Sequence, residues 1–184
     1  MYLYFVRHGQ TDDNFKNIVQ GRIDNPLNDI GRSQAKQTGL KLKNMNIKFD
    51  HIYSSPLIRA KESASIIAKE LNNKDLTVVD GLIEREFGSL EGLDVSYMRY
   101  LVQQKDFKAE NFESDEEIIN RVSNCVSELT KTGENLLLVC HSHTIKAMLI
   151  YINKDKYGFD YPLSNAQVVK IKYDGKNYII EDII

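Results

Sequence analysis

Short apolar runs with the character of β-strands alternate along this chain with longer segments of helical character. Residues 2–6 and 136–140 are continuous apolar runs, which is typical of strands buried on both faces of a sheet. Residues 49–54 and 77–79 are shorter runs that predict two further strands. Strands that alternate with helices favour a parallel sheet, because each crossover lays a helix on one face. We therefore predict an α/β fold with a mostly parallel, helix-flanked sheet.

The sequence between these strands predicts four helices, over about residues 28–45, 56–71, 114–132 and 143–152. The first three begin at residues that favour a helix start. They are an asparagine that can cap the helix, a proline suited to the first turn, and a serine followed three residues later by glutamate, which is a capping box.

Two further segments complete the predicted order. Residues 168–173 and 177–180 predict two strands, and Asp174-Gly175 between them signals a hairpin turn, so we expect an antiparallel edge of the sheet. Residues 92 to about 113 interrupt the alternation and carry aromatic and basic side chains. This cap-like insertion is either a solvated helix and loop or a cover that selects the substrate's leaving group. No repeat or linker divides the chain, so we predict one domain over residues 1–184.

Composition narrows the classes of partner. The chain has 184 residues and a formal net charge of −2 with both signs spread along it, which argues against a nucleic-acid or membrane partner. Its apolar tracts are too short to cross a bilayer, which takes about 20 residues. Two cysteines are too few for a disulfide framework and no leader-like segment precedes the first strand, so we expect a cytoplasmic location. Homo-oligomerisation is left open.

Cationic and imidazole side chains stand at the ends of the predicted strands. Arg7 and His8 follow the first strand, and Arg59 lies just past the second. Glu84 lies in a connecting segment, and His141 follows the strand over 136–140. Each alone has an ordinary explanation as a surface cation, a turn residue or a hydrogen-bonded histidine. Because ligand sites gather at the carboxyl ends of parallel strands, together they predict an anion pocket suited to a phosphoryl group.

These residues belong to a series of motifs in a characteristic order. They are Arg7-His8-Gly9-Gln10-Thr11 with Asn14; Gln20-Gly21 with Asp24, Pro26-Leu27 and Gly31; Ser54-Ser55-Pro56-Leu57 with Arg59-Ala60; Glu84 with Phe87-Gly88 and Glu91-Gly92; and His141. The series covers nearly the whole chain and resembles the histidine phosphatase superfamily, also called the phosphoglycerate mutase-like family. The resemblance implies a three-layer α/β/α sandwich, a phosphohistidine intermediate and no metal or other cofactor.

Three positions depart from the family's usual pattern. Gln10 replaces the commoner glutamate, Ser142 stands where glycine usually follows the second histidine, and Lys146 occupies a place often held by arginine. None of these changes removes a group that the chemistry needs. Ser142 either crowds the phosphate pocket or adds a hydroxyl donor to it.

The resemblance and the chemistry of the side chains together assign roles. We expect His8 to attack phosphorus as a neutral imidazole, which the nearby Arg7 and Arg59 favour by disfavouring its protonated form. Glu84 would protonate the leaving oxygen and later activate water. The expected catalytic residues are Arg7, His8, Arg59, Glu84 and His141, and the expected phosphate- and substrate-binding residues are Arg7, Asn14, Gln20, Gly21, Arg59 and Ser142.

The sequence favours a phosphatase of small phosphorylated metabolites over two alternatives. A phosphoglycerate mutase would return the phosphoryl group to substrate, but Glu86-Phe87 replaces the His-Tyr that mutases of this family show after Glu-Arg, and the chain is short for a mutase. A non-catalytic module that binds a metal or a phosphorylated ligand could use His141 and His143, if the strand continued far enough to place both on one face. We expect the strand to stop before them. The sequence does not identify the substrate.

Overall fold

A computed structural model describes residues 1–73 and 75–184 and contains one sheet of six strands. The strands are β1 (Tyr2–Arg7), β2 (His51–Ser54), β3 (Leu76–Val78), β4 (Leu136–Cys140), β5 (Val168–Tyr173) and β6 (Tyr178–Ile183). Their order across the sheet is β3-β2-β4-β1-β5-β6. Strands β1 to β4 pair in parallel, and the β5–β6 hairpin joins β1 in antiparallel pairing. The predicted mostly parallel sheet and its antiparallel edge are confirmed.

The described residues include six α-helices, which lie between or beside these strands. They are α1 (Asp12–Phe15), α2 (Asp29–Asn44), α3 (Ile58–Glu70), α4 (Val95–Val102), α5 (Asp115–Leu129) and α6 (Ser142–Ile152). The capping box at the start of α5 is present, with Ser114 and Glu117 bonding each other's backbone amides. No helix in the part of the chain that the structure describes is both long and apolar enough to cross a membrane.

Helices cover both faces of the sheet, so the central strands bury side chains on both of their faces. Alternate side chains of β4 enter different cores: Leu136 and Leu138 join one core, and Leu137 joins the other. The first core includes residues from α5 and α6, and the second includes residues from α2 and α3. This is the three-layer α/β/α sandwich that the resemblance implies.

Some helix and strand boundaries differ from the predicted ones because of tertiary contacts. Pro56 was expected inside the first turn of α3, but that helix begins two residues later, where Asp24 Oδ1 accepts a hydrogen bond from the backbone N–H of Ile58 at 2.6 Å. A side chain from a distant loop therefore sets this helix start. Strand β6 continues to Ile183, beyond the predicted end at residue 180, because it pairs along β5.

Residues 92–113 contain α4 and pack with side chains from outside the segment into a small separate core. Met98 of α4 joins Val19, Phe87 and Leu90 in a third hydrophobic cluster, separate from the two beside the sheet. Gly88 has φ +55°, and a Cβ there would lie 1.9 Å from the carbonyl oxygen of Glu110, so only glycine fits this close approach. The segment is thus folded against its neighbours, and its function as a cap stays a prediction.

The cysteines and the surface histidine occupy structural positions. Cys125 and Cys140 are free, and burial raises the pKa of the Cys140 thiol well above its ordinary value, which makes it a poor nucleophile. His51 lies between two carboxylates, with Nδ1 2.6 Å from Asp75 and Nε2 2.9 Å from Glu134.

The predicted cytoplasmic location stays a prediction.

Candidate active site

The sheet brings His8 and His141 together at its two central strands. Arg7 of β1 lies opposite Cys140 of β4 in parallel register, so the next residue of each strand leaves the sheet at the same edge. The backbone N–H of His8 donates to the carbonyl of Cys140 at 2.9 Å, and the two imidazole centroids are 5.1 Å apart. The convergence expected from the sequence therefore follows directly from strand pairing.

The His8 imidazole is arranged as a neutral base. Its Nδ1 lies 2.7 Å from the carbonyl oxygen of Gly9, which can only accept, so we assign the ring proton to Nδ1 and the lone pair to Nε2. Burial lowers the pKa of His8 well below its ordinary value, and the charges of Arg59 and Arg7 lower it further. Nε2 is thus available as a nucleophile at neutral pH.

Arg59 projects from the first turn of α3 and is almost completely buried. Its Nη1 donates to the carbonyl of Ile23 at 2.8 Å and its Nη2 to the carbonyl of Gly21 at 2.6 Å, while Nε lies 3.3 Å from His8 Nε2. Burial lowers the pKa of this guanidinium, and Glu84 opposes that effect. The backbone carbonyls fix the guanidinium against the nucleophile before any substrate binds.

Arg7 supplies a second cation beside His8. Its Nη1 donates to the carbonyl of Leu163, whereas its buried Nε has no hydrogen-bond partner in the described structure. Burial lowers the pKa of Arg7 to about 10, which keeps it charged at neutral pH. A buried N–H without a partner costs free energy, so an anion that accepted this bond would be favoured.

His141 is completely buried beside His8, and Ser55 fixes its tautomer. Its Nε2 lies 2.6 Å from Ser55 Oγ, which also accepts the backbone N–H of Leu57 at 3.3 Å. The hydroxyl proton has no other acceptor among the described residues, so we assign it to His141 Nε2. The ring proton then lies on Nδ1, which is buried and has no hydrogen-bond partner among the described residues. Burial, Arg59 and His8 lower the pKa of His141, which keeps it a neutral donor.

Glu84 lies at the N-terminus of α6, where backbone amides surround its carboxylate. Oε1 accepts from the backbone N–H of Thr144 at 3.2 Å, and Oε2 accepts from that of His143 at 3.3 Å. The hydroxyl of Thr144 adds a contact at 3.3 Å. A carboxylate is stabilised at a helix N-terminus because unpaired amides and the helix dipole both favour negative charge.

One cavity of about 1360 Å³ is lined by nearly all the predicted site residues. These are Arg7, His8, Asn14, Gln20, Gly21, Arg59, Glu84 and Ser142. His141 does not line the cavity, since it is completely buried next to His8. Gln10 does not line it either: its side chain accepts a hydrogen bond from Asn28 at 3.0 Å, so this departure from the family pattern is structural.

The predicted binding residues are held by hydrogen bonds to nearby and to distant parts of the chain. Asn14 closes a capping box with Thr11 and accepts from Asn165 at 3.1 Å, and Gln20 accepts from the hydroxyl of Thr11 at 2.9 Å. Gly21 has φ +54° and offers its carbonyl to Arg59. Asn14, Gln20 and Gly21 all line the cavity.

Sequence reasoning missed a group that connects Glu84 to the 92–113 segment. The Arg85 guanidinium lies 4.5 Å from the ring of Phe112 and 4.7 Å from that of Phe159, and it forms an ion pair with Asp115. Its Nη1 is 3.4 Å from Nδ1 of His143. A cation next to a site glutamate was the only signal in the sequence, and it does not specify these partners.

His141 and His143, at the start of α6, do not lie on one face. Strand β4 ends at Cys140, as expected, so His141 contacts Ser55 while the His143 ring stacks on Phe159 at 4.9 Å. Among residues 1–73 and 75–184, no group of three or more His, Cys, Asp or Glu side chains is arranged to hold a metal ion.

Comparison with known proteins identifies the family. The model of the histidine phosphatase superfamily (branch 1) matches residues 3–183. The chain belongs to the histidine phosphatase superfamily. It is 34% identical over 168 residues to PhoE of Bacillus subtilis, an uncharacterized phosphatase, covering 89% of this chain and 81% of that protein. It is 28% identical to a broad-specificity phosphatase of Saccharomyces cerevisiae, covering 98% of this chain and 84% of that protein.

A solved structure supports the assignment of this histidine phosphatase fold. The crystal structure of a phosphoglycerate mutase from Bacillus anthracis superposes with a TM-score of 0.84 at 25% identity, covering 98% of this chain and 91% of that one. Relatives of this chain thus include proteins named as phosphatases and as mutases.

Proposed function

We propose that this histidine phosphatase superfamily member is a phosphatase that hydrolyses small phosphomonoesters through a phosphohistidine at His8. The observation that carries the proposal is the neutral His8 Nε2 beside Arg59, with the unpartnered N–H groups of Arg7 and His141 close by. Fixed donors around a nucleophile stabilise the charge that develops on a phosphoryl group in flight.

In the first half-reaction the His8 Nε2 lone pair forms a bond to phosphorus as the phosphorus–oxygen ester bond breaks. Arg59 Nε, now 3.3 Å from Nε2, would donate to a phosphoryl oxygen and free the lone pair. Arg7, His141 and Asn14 would hold the other oxygens. Glu84 would take up a proton as the dianionic substrate binds beside it, and it passes this proton to the leaving oxygen, which departs as an alcohol.

The second half-reaction returns the enzyme to its starting state. Glu84, now a carboxylate, removes a proton from water as the water oxygen bonds to phosphorus. The phosphorus–nitrogen bond breaks and its electron pair returns to His8 Nε2. The sum is ester plus water giving alcohol plus inorganic phosphate, and no metal-bound step is needed, so we propose that the reaction is metal-independent.

The mutase alternative is less well supported by the residues beside Glu84. Glu86, where mutases show histidine, pairs with Arg22 at 2.5 Å, and Phe87, where they show tyrosine, packs into the third hydrophobic cluster. Neither position therefore carries the residue type of the mutase pattern. Phosphate-release and coupled mutase assays on the same preparation separate the two reactions.

The test is to trap the intermediate and remove its nucleophile. With a radiolabelled phosphomonoester, we expect acid-labile label on His8, phosphate release that survives a chelator, and loss of both label and activity in His8→Ala. His51→Ala is the matched control, because His51 pairs with the partly exposed carboxylates of Asp75 and Glu134, away from the candidate site. An active His8→Ala protein, or label on another residue, would overturn the proposal.

A further inference from the structure

The wall of the cavity beyond the phosphoryl site is strongly cationic. Six cationic side chains and three carboxylates line the whole cavity. Arg7 and Arg59 serve the phosphoryl site, and Arg85 is paired with Asp115. The remaining cations are Lys146, Arg99 and Lys108, and none of the ion pairs among residues 1–73 and 75–184 includes them.

Lys146 is the most informative of the three because it is buried. Only 5% of it is exposed, and its ammonium donates one hydrogen bond, to the carbonyl of Phe159 at 2.9 Å. An ammonium has three N–H donors, so two are without a protein partner in the described structure. Buried lysines are ordinarily paired, because an unpaired buried charge is costly.

The surrounding charges do not satisfy this ammonium. Glu84 is engaged by the amides of α6, and the ion pairs among the described residues do not join Asp160 to Lys146. Burial and the charge of Arg7 lower the pKa of Lys146 to about 8, although Glu84 and Asp160 oppose the shift, as expected for an ammonium without a paired counter-ion. Arg99, on α4 of the 92–113 segment, lines the same cavity as Lys146.

Resting on the proposed function, we infer that Lys146 and Arg99 form a second anion site, so that the preferred phosphomonoester carries a carboxylate or another phosphate on its leaving group. Lys146 would donate its two free N–H groups to this anion, and Arg99 would complete the site from the 92–113 segment. Charge-assisted hydrogen bonds of this kind are about twice as strong as neutral ones.

Matched substrate pairs test the inference. 3-Phosphoglycerate and glycerol 3-phosphate differ by a carboxylate, and fructose 1,6-bisphosphate and fructose 6-phosphate differ by a phosphate. We expect the wild-type kcat/KM to be about tenfold higher for the substrate with the additional anionic group in at least one pair. This is the effect of one charge-assisted hydrogen bond. The pair that shows the preference identifies the anion.

Two variants attribute that preference to these residues. Lys146→Met keeps the buried stem without the charge, and Arg99→Gln changes an exposed side chain that the fold does not need. We expect either variant to reduce the preference by about tenfold. Lys36→Met, an exposed lysine on α2, is the control and should keep the wild-type preference.

The outcomes separate this inference from the function on which it rests. Equal hydrolysis within both pairs, or a preference that survives both variants, would overturn the second anion site and leave the phosphatase proposal standing. Absence of phosphate release from every one of these esters would overturn the proposed function and the second anion site together.

Discussion

Replacing Ser55 by alanine should lower kcat by changing the protonation of the His141 ring, although we do not expect Ser55 itself to contact the substrate. In the structure the Ser55 hydroxyl donates to His141 Nε2 at 2.6 Å, which leaves the ring proton on Nδ1. Without that hydroxyl, Nε2 is buried with no partner and the imidazole can carry its proton on either nitrogen. The tautomer with a proton on Nε2 has no donor at Nδ1 for the phosphoryl group.

The expected magnitude follows from the loss of one buried hydrogen bond. Leaving a buried polar atom without its partner costs about 1–3 kcal/mol. Since about 1.4 kcal/mol corresponds to a factor of ten in rate, we expect kcat to fall roughly tenfold to hundredfold if the cost is borne by the transition state. KM should change less, because the other phosphate donors remain.

The neighbouring serine provides a matched control. Ser54 is equally buried, and its hydroxyl donates to the carbonyl of Ser55 at 2.9 Å instead of to His141. Ser54→Ala should therefore lower the melting temperature much as Ser55→Ala does, while keeping kcat within about twofold of wild type.

The assay is phosphate release from p-nitrophenyl phosphate, combined with ¹⁵N NMR of the His141 imidazole. The ¹⁵N shifts should report a protonated Nδ1 in wild type and in Ser54→Ala, and a changed tautomer in Ser55→Ala. The reasoning fails if Ser55→Ala retains wild-type kcat, or if Ser54→Ala loses as much activity.

Two further expectations concern Arg59 and the buried histidines. Arg59→Met should lower kcat/KM for p-nitrophenyl phosphate by about 10²–10³, as for loss of a fixed transition-state donor, while the exposed Arg32→Met should not; comparable losses in both would contradict this. Because His8, His141 and His143 have lowered pKa values, the unfolded chain binds more protons below about pH 6.5, so the free energy of unfolding should fall as the pH drops through this range. Urea unfolding at pH 7.5 and 5.5 measures this, and equal stability would refute it.

The sequence predicted the placement of the site because that placement depends on local patterns. Apolar runs such as residues 136–140 identify strands, and the residue after a strand leaves the sheet at a predictable edge. His8 and His141 could therefore be paired before the structure was known. The family's motif order then added Asn14 and Gln20.

The remaining features depend on tertiary packing, which one sequence does not specify. Ser55 and His141 are separated by 86 positions, and nothing in the local sequence of either identifies the other as its partner. The burial of Lys146 likewise depends on how α6 packs, since an isolated lysine in a helix is usually exposed. Sequence patterns thus predicted where the candidate site lies, and contacts between distant segments were needed to describe how its side chains are held.

The order of the strands has an evolutionary consequence. His8 and His141 follow the two innermost strands, β1 and β4, which cannot change without disturbing both cores. Arg99, in contrast, lies on α4, which belongs to a separate small cluster. If that segment contacts the leaving group, mutations there can change substrate specificity with little effect on folding. Relatives that catalyse the same reaction can therefore differ in the substrates they accept.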